Sequence, residues 1–173
     1  MVIAEESQGI ILDNGAYMCK AGFAGDDAPR SVFPPIIGTP KAQALLCSIP
    51  RKDFYIGDEA VAKRGILTLR SPLKEGLVTD WDDMEKVWQH ACNNELHIAS
   101  EEHPFVLSES PLTPKQNKEK LVQVLFESFS VPALNVSNTA VLVLFASGRT
   151  TGCVLDCGYA VAYSVPTHYP MQH

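Results

Sequence analysis

Apolar positions along the chain fall into short blocks whose spacing changes between two and about three and a half. Gly9–Leu12 and Met18–Phe23 are apolar runs flanking the polar Asp13–Tyr17, which predicts a hairpin. The Pro- and Gly-rich stretch "AGDDAPRSVFPPIIGTPK" is expected to be irregular, apart from a short strand at Ser31–Phe33. "FYIGDEAVAKRG" reads as a strand, a turn at Gly57 and a short helix ended by Gly65. From Thr79 the spacing becomes helical: Trp81, Met84 and Trp88 share a face that Val87 and Ala91 extend. Thr79 or Asp80 caps this helix, and Asp82 and Asp83 place negative charge on its first turn, where the dipole favours it.

"PFVLSES" reads as a fully buried strand that turns polar at Ser108–Ser110. A second helix is predicted in "TPKQNKEKLVQVLFESF", with Thr113 as cap, Pro114 in the first turn, and Leu121, Leu125 and Phe129 facing inward. The basic start of that helix, from Lys115 to Lys120, is expected to be a solvated face. A strand in "ALNVS" and a helix in "TAVLVLFAS", closed by Gly148, lead to a second hairpin within "CVLDCGYAVAYSV". Strands and helices thus alternate, which predicts an α/β domain with a mixed sheet and helices on its faces.

The hydrophobic segment "AQALLCSIP" at 42–50 lies between turn-forming flanks and has two readings, a short buried strand or an exposed loop that docks on a partner. The 173 residues suffice for one domain or two small ones. A net charge of -6 with no Lys/Arg block argues against a nucleic-acid surface, and no run is long enough for a membrane span. The acidic start "MVIAEES" does not read as a signal peptide or anchor. Five scattered cysteines without a CxxC pair argue against a disulfide framework or a zinc site and predict buried free thiols. The five histidines are dispersed and none is assigned as a ligand.

The chemistry gathers at the two hairpins. A phosphate-binding turn needs glycine so that backbone N–H groups approach the oxygens. It gains from an aspartate that holds Mg²⁺ through water, and from a lysine that reaches terminal phosphates as a point charge. Asp13, Gly15 and Lys20 fit the first set, Asp156 and Gly158 the second.

The blocks "LDNGAYMCKAGFAGDDAPRSVFPPIIGTP", "YIGDEAVAKRGILTL", "DWDDMEKVWQHA", "EEHPFVLSESPL" and "SGRTTGCVLDCG" resemble the actin family, in its amino-terminal half, from about residue 9 to 166. The resemblance implies the actin-like ATPase fold, ribonuclease H-like and related to sugar kinases and heat-shock chaperone ATPases. It implies an outer large subdomain at 1–34 and 72–146 and an inserted small subdomain at 35–71. Residues 147–173 would be the first hairpin of an inner half that is otherwise largely missing. It further implies ATP with Mg²⁺ as cofactor and water-mediated metal contacts from Asp13 and Asp156. The phosphate-binding positions would be Asp13, Asn14, Gly15, Ala16, Tyr17, Lys20, Asp156, Gly158, Tyr159, Ala160 and Val161. In the loop at 42–50, Ala44, Leu45, Leu46 and Ile49 would contact a partner, actin or an actin-binding protein, in the cytoplasmic cytoskeleton.

Departures from the family pattern fall on this chemistry. Where the family has Asp-Asn-Gly-Ser-Gly, Ala16 and Tyr17 replace the Ser and the second Gly; where it has Asp-Ser-Gly-Asp-Gly, Tyr159 and Ala160 replace the second Asp and Gly. Thr139 stands at the family's water-positioning Gln, Tyr163 at a nearby His, and Glu75 at its methylated His. Phosphoryl transfer depends on positioning and charge stabilisation, so rapid ATP hydrolysis is not expected, no residue is assigned as catalytic, and nucleotide binding is expected to be weak or absent. The leading reading is a divergent, truncated cytoskeletal actin-like protein acting by protein–protein contact and polymerising poorly alone. The alternatives are an ATP-binding filament subunit and a non-functional fragment or degenerate copy.

Overall fold

The computed structural model describes residues 7–41 and 52–168. A mixed five-stranded sheet forms its centre, in the order β10-β9-β1-β2-β3. These strands are β1 (Ile10–Asn14), β2 (Cys19–Phe23), β3 (Ser31–Phe33), β9 (Phe105–Glu109) and β10 (Leu134–Asn138). β1 pairs antiparallel with β2, Asp13 facing Lys20, and parallel with β9, Ile10 facing Phe105. β9 in turn runs parallel to β10. Three parallel strands therefore end on one side of the sheet, where Asp13, Ser108–Ser110 and Asn138–Thr139 come together; ligands of α/β sheets bind outside such strand ends.

Alternation explains β1: Ile10 and Leu12 are buried while Ile11 between them is exposed. Their face packs on α2 (Trp81–His90), whose Met84, Val87 and Trp88 are fully buried. Trp81 lies partly buried at the edge of this core. Of the two candidate caps, Asp80 serves, accepting from the Asp83 N–H at 3.0 Å; the Thr79 hydroxyl donates to the Pro72 carbonyl. The helix does not stop at its last apolar residue. It widens into a π-helical turn, Ala91–Leu96, that ends at a left-handed His97 (φ 55°). A short 3₁₀ turn, Ser100–Glu102, follows.

Helix α3 (Lys115–Glu127) buries Leu121, Val124 and Leu125, and Phe129 beyond its end is also buried. Thr113 is not its cap. Pro114 occupies that position without a side-chain bond, and the Thr113 hydroxyl donates to the Ser110 carbonyl at 2.9 Å. The strand expected to be fully buried, β9, is buried only at Phe105 and Leu107, because its alternate residues face the more open side of the sheet.

A second small cluster, Tyr55, Ala60 and Leu67, lies beneath a three-stranded sheet ordered β5-β4-β6. Its strands are β4 (Ile37–Pro40), β5 (Tyr55–Ile56) and β6 (Leu67–Arg70). Gly57 (φ 64°) opens helix α1 (Gly57–Ala62) instead of forming a separate turn, and the helix ends before Gly65. The Arg70 guanidinium binds both oxygens of Asp83, a residue of α2 with 3% of its side chain exposed, and so ties this sheet to the main core. Lys86 adds a contact at 2.7 Å. Led by the Arg70 bond, these cations hold the Asp83 carboxyl down at about 2.

The strands β7 (Leu73–Lys74) and β8 (Leu77–Val78) form a tight hairpin around Glu75 and Gly76, both at positive φ (53° and 78°), the backbone that such two-residue turns require. Helix α4 (Thr139–Ala146) follows β10 with Asn138 as cap, its side chain accepting from the Ala140 N–H at 2.8 Å. The hairpin β11 (Thr151–Cys157) and β12 (Ala162–His168) rests on α4 as a separate two-stranded sheet. The packing is close: a Cβ added at Gly152 would come within 3.0 Å of Leu144.

Cysteine placement corrects one expectation. Cys19 and Cys92 are buried free thiols, but Cys153 and Cys157 are exposed, because they lie on the face of β11 turned away from α4. Cys47 and the proposed contact residues Ala44, Leu45, Leu46 and Ile49 lie outside the described residues. Among the described residues no helix is long and apolar enough to cross a membrane, and no cluster of His, Cys, Asp or Glu could hold a metal ion.

Candidate functional site

The two hairpins bend toward one cleft of about 940 Å³. Every phosphate-site position assigned from the sequence lines it: Asp13, Asn14, Gly15, Ala16, Tyr17 and Lys20 from the first hairpin, and Asp156, Gly158, Tyr159, Ala160 and Val161 from the second. Thr139 and Tyr163 line it too.

At the first hairpin, Asp13 sits at the end of β1 and is held from two sides. Its Oδ2 is 2.8 Å from Lys20 Nζ across the strand pair, and its Oδ1 accepts a short bond from the Ser108 hydroxyl. The hydrogen bond from Lys20 to Asp13, with the negative charges of Asp13 and Asp156 nearby, pushes the Lys20 ammonium pKa upward. Asn14 is anchored from below, its Oδ1 accepting from Trp88 Nε1 at 3.0 Å. Gly15 is required by the turn itself: a Cβ there would stand 2.4 Å from the Met18 carbonyl oxygen.

The second hairpin repeats the backbone without these partners. Asp156 faces Tyr163 across the strands, where the first hairpin has Lys20 facing Asp13. The Gly158 N–H donates to the Val161 carbonyl at 2.9 Å, closing the turn, and an added Cβ would stand 3.2 Å from that oxygen. Val161 rests against the β7–β8 turn, where a Cβ built on Gly76 would be 3.8 Å from its side chain.

Across the cleft the Tyr17 and Tyr159 rings stack, centroids 5.2 Å apart and planes inclined by 28°. The floor holds buried polar oxygens without hydrogen-bond partners among the described residues, Ser110 Oγ and Thr139 Oγ1. Glu109, 9% exposed, lies beside them with Oε1 2.9 Å from Lys118 Nζ. Ser108, Trp88 and Glu109 were not assigned to the site from the sequence. The one available signal was the polar ending of a buried strand at Ser108–Ser110, which marks a strand end opening onto a cavity.

A mixed sheet flanked by helices, with two Asp-x-Gly hairpins converging at the ends of its parallel strands, is the actin-like fold. The family model described as Actin matches residues 4–171, and the chain belongs to the actin family.

Proposed function

We propose that this chain is a cytoskeletal, cytoplasmic actin-like protein that works through contacts with actin or actin-binding proteins, and that its nucleotide site is degraded. The observation that carries this reading is the Tyr17–Tyr159 stack, which lies between the two hairpin tips. A triphosphate between those tips needs backbone N–H groups free to approach it, and two large side chains compete for that space. Ala16 offers no hydroxyl, and Asp13, one of two carboxylates proposed to hold Mg²⁺ through water, already has both oxygens engaged by Lys20 and Ser108. Asp13, Asp156 and Glu109 also surround the cleft with more negative than positive charge once Lys20 and Lys118 are counted, which disfavours a polyanion. The residues present therefore do not fit ATP with Mg²⁺ in the arrangement the family uses, and no hydrolytic step is assigned to them. In this reading residues 1–34 and 72–146 form the outer subdomain, 35–71 the inserted small one, and 147–173 the start of an inner half. Ala44, Leu45, Leu46 and Ile49 are the proposed contact residues.

Calorimetric titration with ATP in excess Mg²⁺ tests the site. The expected dissociation constant is weaker than micromolar, that is, less than about 8 kcal/mol of binding free energy; micromolar affinity would overturn the degraded-site reading. Co-sedimentation with actin filaments tests the contact function, which fails if the protein neither pellets with filaments nor alters their assembly.

A further inference from the structure

We infer that the Tyr17–Tyr159 stack does more than obstruct: it joins the two hairpins and so does the bridging that a phosphate chain between them would otherwise do. The inference rests on the degraded-site reading and adds a role to the residues that degrade the site. A polyphosphate held by two facing turns is a cross-link between them, and a pair of turns without one needs another. Both substitutions are large aromatics, they fall in the tip of each repeat, two residues after Gly15 and one after Gly158, and their rings meet at 5.2 Å.

The second hairpin is the part that needs such a link. It is a two-stranded sheet, marginal by itself, and its outer residues Cys153, Leu155 and Cys157 face away from α4. Its tip touches the rest of the molecule through Tyr159 on Tyr17 and through Val161 beside Gly76. The tyrosines remain 58% and 77% exposed, so their removal should leave the main core intact and loosen only the hairpin. While the stack is in place, nucleotide has nothing left to close.

Hydrogen exchange of the β11 and β12 amides in the full chain reads this directly. Tyr17→Ala and Tyr159→Ala should each speed exchange there by about twofold to tenfold, the range expected for one aromatic pair. The double variant should be no worse than either single one, Tyr17→Phe should match the parent, and exchange in β1 and β9 should not change. Parent-like exchange in both alanine variants, or effects that add in the double variant, would overturn the bridging role while leaving the degraded-site reading intact. A set of four changes, Ala16→Ser, Tyr17→Gly, Tyr159→Asp and Ala160→Gly, should make β11–β12 protection respond to Mg-ATP, whereas the parent should show no response. ATP that slows exchange in the parent would overturn the replacement of nucleotide by the stack. ATP that binds in the titration above without slowing exchange would instead sink only the degraded-site reading.

Discussion

The two hairpins carry nearly the same letters and live in different surroundings. "LDNG" ends a strand at the centre of a five-stranded sheet; "LDCG" ends a strand of a two-stranded sheet lying on one helix. Leu12 is fully buried, whereas its counterpart Leu155 is 72% exposed. Asp13 is held by Lys20 and Ser108, while Asp156 faces a tyrosine across its strand pair. A turn motif sets the backbone locally, but the charge balance and rigidity of the turn come from the strands beside it. The first hairpin is therefore a fixed wall of the cleft and the second an attached flap.

Truncating the paired leucines gives the largest contrast. Leu12→Ala should cost about 2–5 kcal/mol by chemical denaturation, since it opens a cavity in a closed core. Leu155→Ala should change stability by no more than about 0.5 kcal/mol. Equal losses would mean that Leu155 is covered in solution and would break the comparison.

The paired glycines come next. Gly15→Ala forces a Cβ to 2.4 Å from a backbone oxygen and should cost about 1–3 kcal/mol. Gly158→Ala meets its nearest oxygen at 3.2 Å, a gap that a few tenths of an ångström of movement relieves, so its cost should be clearly smaller.

Acid separates the regions by another route. The Asp83 carboxyl is held at about 2 against an ordinary 3.8, led by its bond to Arg70. Because the folded value is the lower one, the stabilisation is complete above the ordinary value and is lost as pH falls toward about 2. The loss should reach about 2 kcal/mol, and Asp83→Asn should flatten the profile over that window. It acts on α2, which supports the first hairpin through Trp88 and Asn14, and should leave the contacts between α4 and the second hairpin in place. A profile unchanged in Asp83→Asn would refute this assignment.

The smallest expected effect concerns charge. Lys20→Met removes a half-exposed ion pair worth about 0–1 kcal/mol, with less effect at high salt. A larger loss would show that Asp13 depends on Lys20 more than on Ser108.

Much of this was readable in the chain. Helix α2 announced itself through Asp80, its acidic first turn and a regular apolar stripe, and both hairpins through apolar runs around Asp-x-Gly. What failed was whatever depended on neighbours distant in sequence. Thr113 has the right chemistry for a cap, yet a tertiary position lets it bond to Ser110 instead. The alternation in β9 is hidden because both of its faces carry apolar or small residues. The π-helical turn after His90 carries no local signal; it places Glu95, which accepts from the Ser31 hydroxyl at 2.6 Å and lies 3.2 Å from His90. At the site, the residues replacing the family pattern could be read singly, but not that Tyr17 and Tyr159 would meet.

The cysteines offer a clock for these motions. Burial pushes the Cys19 and Cys92 thiols up to about 12, so neither supplies thiolate until the core opens, whereas Cys153 and Cys157 stand in water on the outer face of β11. In a Cys47→Ser background, an alkylating reagent should modify residues 153 and 157 at once. It should then reach residue 19 only at the rate at which the five-stranded sheet comes apart. The first burst counts native molecules; the slow phase times their unfolding.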